Sequence, residues 1–135
     1  MPNENLPLAH ENFAQHFTAG FYEDTGNELA PFGSDEGFDI ITLAQEHSDS
    51  LTDKTTVEEL LDIVEAPLER DWDEEPEDED AVLIASAAFA LLRITGRIDK
   101  AGRKKALKAL EVLLDAQGDE PELLQQKADL KRWKA

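Results

Sequence analysis

The sequence predicts an all-α fold: one domain, a bundle of about six helices, and an ordered irregular loop at 20–34. Three observations carry this expectation. Apolar residues recur at helical spacing in several separate segments, which is the main sequence signal of amphipathic helices. Good N-cap residues and terminal glycines bracket those segments. The connections between them are short, which favours neighbours packed in a bundle. At 135 residues with 41% hydrophobic content, the chain has the size of one domain with an adequate core.

The elements follow in order. Residues 1–7, with Pro2 and Pro7, read as a lead-in. Phe13, Ala14 and Phe17 fall near helical spacing between Leu8 and Ala19, and Gly20 stops that short helix. From Gly20 to Gly37, glycine and proline punctuate the chain too often for a regular element. The segment still carries Phe21, Tyr22, Leu29 and Phe32, so an ordered loop packed by its own side chains is expected. Ser34 is a suitable N-cap for a helix from Asp35 to about Glu46, and Asp35 and Glu36 complement its positive dipole end. Phe38, Ile40, Ile41, Leu43 and Ala44 give that helix a broad apolar face.

After a polar turn from His47 to Lys54, Thr55 or Thr56 opens a further helix, with Glu58 or Glu59 completing a capping box. Its stripe is Val57, Leu60, Leu61 and Val64, and it is expected to run on toward Glu69, with Pro67 near its end. Residues 69–80 hold nine acids in twelve positions. Such a block repels itself and reads as an acidic linker or loop with Trp72 as its apolar anchor. Ala81 to Ile94 is apolar nearly all round, which marks a buried central helix closed by Gly96. Asp99 caps the next helix, in which Ala106, Leu107, Leu110, Leu113 and Leu114 fall on one side and Lys104, Lys105, Lys108 and Glu111 on the other, and Gly118 ends it. Asp119 as N-cap, Pro121 and Glu122 open a last helix that runs to about Trp133, with Leu123, Leu124, Ala128 and Leu130 apolar.

Charge is unevenly placed. The net charge is −18, yet residues 1–80 carry 24 acids and 2 bases while residues 81–135 carry 7 acids and 11 bases. The acidic half repels nucleic acid and anionic membrane, and it suits a basic partner protein. The cluster Arg93, Arg97, Lys100, Arg103, Lys104, Lys105 and Lys108 is expected to lie against that acidic half within the molecule. There are no cysteines, which removes disulfides, thiolate metal sites and cysteine nucleophiles. Without a signal-like start or a long apolar run, the expected location is cytoplasmic.

No catalytic constellation stands out. His10-Glu11 is followed by His16, not by the histidine at i+4 that a zincin helix requires, and His47 stands alone. Phosphate loops need nearby cations, and residues 1–53 contain no lysine or arginine. Ser34 sits between glycines but follows no strand, so a helix cap explains it better than a nucleophile elbow. No cofactor and no metal site is expected. The best candidate surface is the loop itself, where Asp24, Glu28, Asp35, Glu36 and Asp39 crowd beside Tyr22 and Phe32 as exposed aromatics. Ordered loops with charged and aromatic groups commonly bind partners.

The run Phe21-Tyr22, Asp24, then Glu28-Leu29-Ala30-Pro31-Phe32-Gly33-Ser34-Asp35-Glu36-Gly37 and Asp39 resembles the YfeS-like family of bacterial proteins. The likeness spans about 20 residues of the chain, and implies that the loop is a built feature without assigning an activity. Three functions remain open at this point: a non-enzymatic acidic domain of the immunity or inhibitor type binding a basic protein, a metal-dependent hydrolase using loop carboxylates, and a DNA mimic. Mimicry would use Glu58, Asp62, Glu65 and Glu69 as one acidic stripe, with neighbours roughly 5–6 Å apart on a helix.

Overall fold

The computed structural model describes residues 6–133. Six α-helices are present among them, with no strand: α1 Glu11–His16, α2 Asp35–Glu46, α3 Val57–Ile63, α4 Asp78–Thr95, α5 Lys100–Gln117 and α6 Pro121–Lys131. Two 3₁₀ turns, Gly20–Glu23 and Ser48–Ser50, complete the order. The expected six-helix bundle is therefore the observed architecture.

Helix α4 is the axis of the bundle. It packs most extensively on α5 and α2, and also meets α3 and α1, while α6 lies on α5. Ala85, Ser86, Ala87, Ala88 and Ala90 are buried along it, and these small side chains let several helices approach one axis closely. Gly96 closes α4 in the left-handed region at φ 73° and donates its N–H to the Leu92 carbonyl, a conformation glycine adopts without a Cβ penalty. Asp99 then serves two helices with one carboxylate. Its Oδ2 accepts from Gly102 N at 2.7 Å to cap α5, and its Oδ1 accepts from Val57 N at 2.9 Å in the first turn of α3. Thr56 and Glu59 form the capping box of α3, which resolves the two registers the sequence allows.

An aromatic cluster fills the end of the bundle next to α1. Phe13, Phe17, Tyr22, Phe32 and Phe89 are buried together, with Trp133 stacked on Phe17 at 5.6 Å between ring centroids. Phe17–Phe89, Phe17–Tyr22 and Phe13–Tyr22 meet edge to face, an arrangement aromatic quadrupoles prefer.

Several expected boundaries are corrected. Helix α1 spans only Glu11–His16, and Ala14 faces solvent while Phe13 and Phe17 reach the core. Helix α3 ends at Ile63 instead of continuing toward Glu69, because Glu65 takes φ 56° and reverses the chain. Asp119 does not cap α6; Glu120 holds the N-cap position, without a side-chain hydrogen bond, ahead of Pro121. Leu124 stands exposed on α6, with Leu123 and Leu130 buried. The acidic block is shorter than 69–80 as an irregular segment, since Asp78, Glu79 and Asp80 form the first turn of α4. Asp80 is buried there, and its carboxylate accepts from Glu69 N at 2.9 Å and Arg70 N at 3.0 Å. The lead-in lies largely outside the described residues.

Candidate functional site

The loop 24–37 is built by local hydrogen bonds and two close approaches. Asp24 Oδ1 accepts from Gly26 N, and Asn27 Oδ1 accepts from Leu29 N, the Asx-type turns for which these side chains are favoured. Asn27 O accepts from Ala30 N and Ala30 O from Gly33 N. A Cβ on Gly33 would stand 1.7 Å from Asn27 O, and one on Gly37 would stand 2.1 Å from Pro31 O. Only a residue without a side chain fits where the chain folds back on its own backbone. Ser34 Oγ accepts from Gly37 N at 3.0 Å and caps α2.

Helix α6 then fastens the loop from outside. Gln126, itself buried, donates Nε2–H to Leu29 O at 2.6 Å, and Asn27 donates Nδ2–H to Glu122 Oε2 at 2.9 Å. The Asn27 hydrogen bond, with help from a backbone donor, holds the Glu122 carboxyl below the usual carboxylate range. The loop is thus tied to α6 as well as held by its own hydrogen bonds.

The seven expected binding residues do not form one patch. Tyr22 and Phe32 are fully buried core residues, so the expectation of exposed aromatics is corrected. Tyr22 donates its hydroxyl to Asp129 Oδ2 at 2.8 Å, and burial, followed by that bond, pushes its pKa well above the ordinary phenol range. Asp24 is half-buried and turned into its own Asx turn. Asp35 and Asp39, one helical turn apart on α2, line a shallow depression with Thr25, Ser34 and Phe38. Glu28 and Glu36 reach a different face. Glu28 edges a small hollow floored by Leu29, Ala30, Pro31, Ala85 and Leu123. Glu36 edges an adjoining groove of about 470 Å³ with Asp78, Glu79, Val82, Leu83, Leu113 and Gln117.

These two hollows share Val82, Leu113 and Gln117 and so form one continuous trough along α4, walled by the loop and α2 on one side and α5 on the other. Its floor is apolar, and Glu28, Glu36, Asp78 and Glu79 along its edge are all exposed. No lysine, arginine or histidine lines either part. The floor residues escaped sequence reasoning because Val82, Leu83 and Leu113 carry no chemistry that separates them from core. The one available signal was the stacking of Asp78 and Glu79 just ahead of Val82 and Leu83.

The basic half is largely engaged within the molecule. Arg93 is 2% exposed. It pairs with Glu23 through Nη1–Oε2 at 2.5 Å and Nη2–Oε1 at 2.9 Å, and gives two further bonds to Pro7 O. Its guanidinium lies 5.6 Å from the Phe13 ring centre and 5.5 Å from that of Phe32, within cation–π range. Lys105 lies over Trp72 and donates to Glu74 O, and Lys108 pairs with Glu75 at 3.0 Å. Pro76 is buried alongside half-buried Trp72, so the acidic loop has more than one anchor. Arg103 turns to the Leu130 and Lys131 carbonyls of α6 instead of the acidic half. Arg97, Lys100 and Lys104 make no cross-half ion pair among the described residues.

Among the described residues no group of three or more His, Asp or Glu side chains is placed to hold a metal ion. The loop carboxylates point to separate faces. The acidic stripe proposed for DNA mimicry is also incomplete, because only Glu58 and Asp62 of its four members lie on α3. No helix among the described residues is long and apolar enough to cross a membrane.

Comparison with known proteins adds no relative. The chain matches no protein-family model, no curated protein and no solved structure.

Proposed function

We propose that the protein is a non-enzymatic, acidic interaction domain that binds a basic partner protein in the manner of immunity or inhibitor proteins. One observation carries this reading: Glu28, Asp35, Glu36 and Asp39 are exposed, and no ion pair joins any of them to a cation among the described residues. Arg93 and Lys108 are instead held by Glu23 and Glu75, and Lys105 by the Glu74 backbone carbonyl. With Glu23 and Glu75 so paired, the acids of the loop and α2 are left without an internal countercharge among the described residues.

Uncompensated charge on a rigid frame steers an oppositely charged partner and makes association fast and salt-sensitive. A cytoplasmic setting and membership of the YfeS-like bacterial family fit this reading and belong to it as proposals. The test is capture from a bacterial lysate on the immobilised protein at low and at moderate salt. A basic protein retained at low salt, and lost when Glu28, Glu36 and Asp39 are changed to Gln, Gln and Asn, is the expected result. Equal retention by that triple variant, or no basic protein at either salt, overturns the proposal.

A further inference from the structure

The trough along α4 has the shape and charge of a receptor for one kind of ligand. Along α4 it runs from Asp78 and Glu79 through Val82 and Leu83 to Ala85 and Ser86. At 1.5 Å rise per residue that is roughly 12 Å, about the reach of side chains at i, i+3 or i+4, and i+7 on another helix. Val82 and Leu83 are only half-buried, although they sit in the most buried helix of the fold. Their exposed parts form an apolar floor that no element of the described chain covers. Glu28, Glu36, Asp78 and Glu79 edge this floor without a cation among the lining residues.

The walls are preorganised. Gly33 and Gly37 lock the loop backbone, Gln126 and Asn27 tie it to α6, and Ser34 fixes the start of α2. A site whose walls are already ordered loses little conformational freedom on binding. Other occupants fit less well. An extended peptide adds to a sheet edge, and the described residues contain no strand. Nucleic acid brings phosphates to a carboxylate rim. A second copy of this chain offers α5 as its most basic helix, but Ala106, Ala109, Leu110 and Leu113 of α5 are buried in its own core.

We infer that this trough binds the apolar face of a cationic amphipathic helix belonging to the partner, with its lysines or arginines against Glu36, Asp78 and Glu79. The inference rests on the acidic-domain reading above and deepens it by naming the surface and the ligand. It adds a requirement that charge alone does not make: the ligand must carry its apolar side chains on one helical face.

The experiment uses two fluorescent probe peptides of about 14 residues, roughly 21 Å long as helices. Both contain the same leucines and lysines. One places the leucines at i, i+3, i+4 and i+7, and the other scrambles them around the helix. Titrations followed by anisotropy are run near 0.15 M salt, where the Debye length is about 8 Å and distant charges are screened. The patterned peptide is expected to bind about tenfold or more tightly than the scrambled one, a ratio of the size that desolvated anchor residues supply.

Glu36→Lys combined with Glu79→Lys alters two exposed positions and is expected to weaken the patterned peptide by about tenfold or more, as like charges on an interface rim do. Leu83→Lys, on the floor, is expected to do the same with the helical circular dichroism unchanged. Glu58→Lys with Asp62→Lys makes the same charge change on α3. That helix meets α5 beside Gly102, 11 residues or roughly 16 Å along α5 from Leu113. This control is expected to leave affinity within about twofold, because neither residue lines the trough. Equal binding of both peptides, or equal weakening by the α3 control, overturns the trough while the acidic-domain reading stands. Absence of binding by either peptide even at low salt overturns both.

Discussion

Two ion pairs in this protein have the same N···O distance and should have very different worth. Arg93–Glu23 and Arg70–Glu77 both close to 2.5 Å, but the side chains are 3% and 39% exposed in the first and 44% and 56% exposed in the second. Glu77→Gln removes a charge from a pair already bathed in water, so the expected cost is about 0–1 kcal/mol. Glu23→Gln keeps the shape but leaves the Arg93 guanidinium nearly buried between Phe13 and Phe32 without a countercharge. One of the two acceptors facing it also becomes an NH₂ donor. Removing one partner of a buried pair costs about 3–5 kcal/mol. Partial hydration through the exposed side of Glu23 lowers the expectation to about 2–4 kcal/mol. For a chain of this size that is a fall in melting temperature of roughly 7–14 °C. Urea denaturation of wild type and the two single variants measures both costs, with Arg93→Met and Arg93→Met/Glu23→Gln completing a double-mutant cycle for the buried pair. Recovery of about 1 kcal/mol or more in the double variant is expected, because no charge is then left alone. Equal costs for Glu23→Gln and Glu77→Gln would refute the claim that burial decides what these pairs contribute.

Other outcomes follow from the same geometry. Gly33→Ala forces a Cβ to within 1.7 Å of Asn27 O, so the loop backbone must move, at a cost of about 1–3 kcal/mol or more; Gly20→Ala, with nothing within 4 Å of its Cβ, is the control, and equal thermal shifts would contradict the rigid-loop account. Tyr22 is the only tyrosine, so tyrosinate absorbance reports on it alone. Its folded-state pKa is raised above the ordinary value of 10.0, so its neutral form adds stability below that value, and that stability falls away as pH climbs above it. Its ionisation should accordingly coincide with alkaline unfolding by circular dichroism, and a tyrosinate signal that develops while the fold is intact would refute the Tyr22–Asp129 bond. Asn27→Ala should raise the Glu122 carboxyl toward the usual range in an NMR pH titration, since the Asn27 hydrogen bond is the largest cause of its depression. No change would mean that the loop is not tied to α6 there.

What the sequence revealed depends on how local the controlling physics is. Caps written into a few residues were legible: Ser34 over Gly37, Thr56 with Glu59, Asp99 over Gly102, and Gly96 after α4. The apolar wrap of Ala81 to Ile94 marked the central helix for the same reason. Boundaries set by tertiary contacts were not legible. Asp80 looked like one acid among nine, and its role in holding Glu69 and Arg70 exists only once α4 has turned back toward that loop. Glu65 ends α3 by a left-handed backbone that no local rule assigns to glutamate. Tyr22 and Phe32 read as exposed because their neighbours are acidic and glycine-rich, but the aromatic cluster of α1, α4 and Trp133 draws both inside. Glu28 and Glu36 were identified as candidates from the sequence. Their partner surface on α4 and α5 was not, since it arises from residues more than 40 positions away.

The central claim is that recognition resides in the trough and not in bulk negative charge, and an NMR titration of the isotope-labelled protein with the patterned cationic peptide tests it most directly. The account predicts that the largest amide shifts cluster at Glu36, Glu79, Val82, Leu83, Leu113 and Gln117, while the acidic loop 69–77 moves little because Lys105 and Lys108 already hold it. Shifts spread over that loop and α3, with the trough residues unmoved, would contradict it.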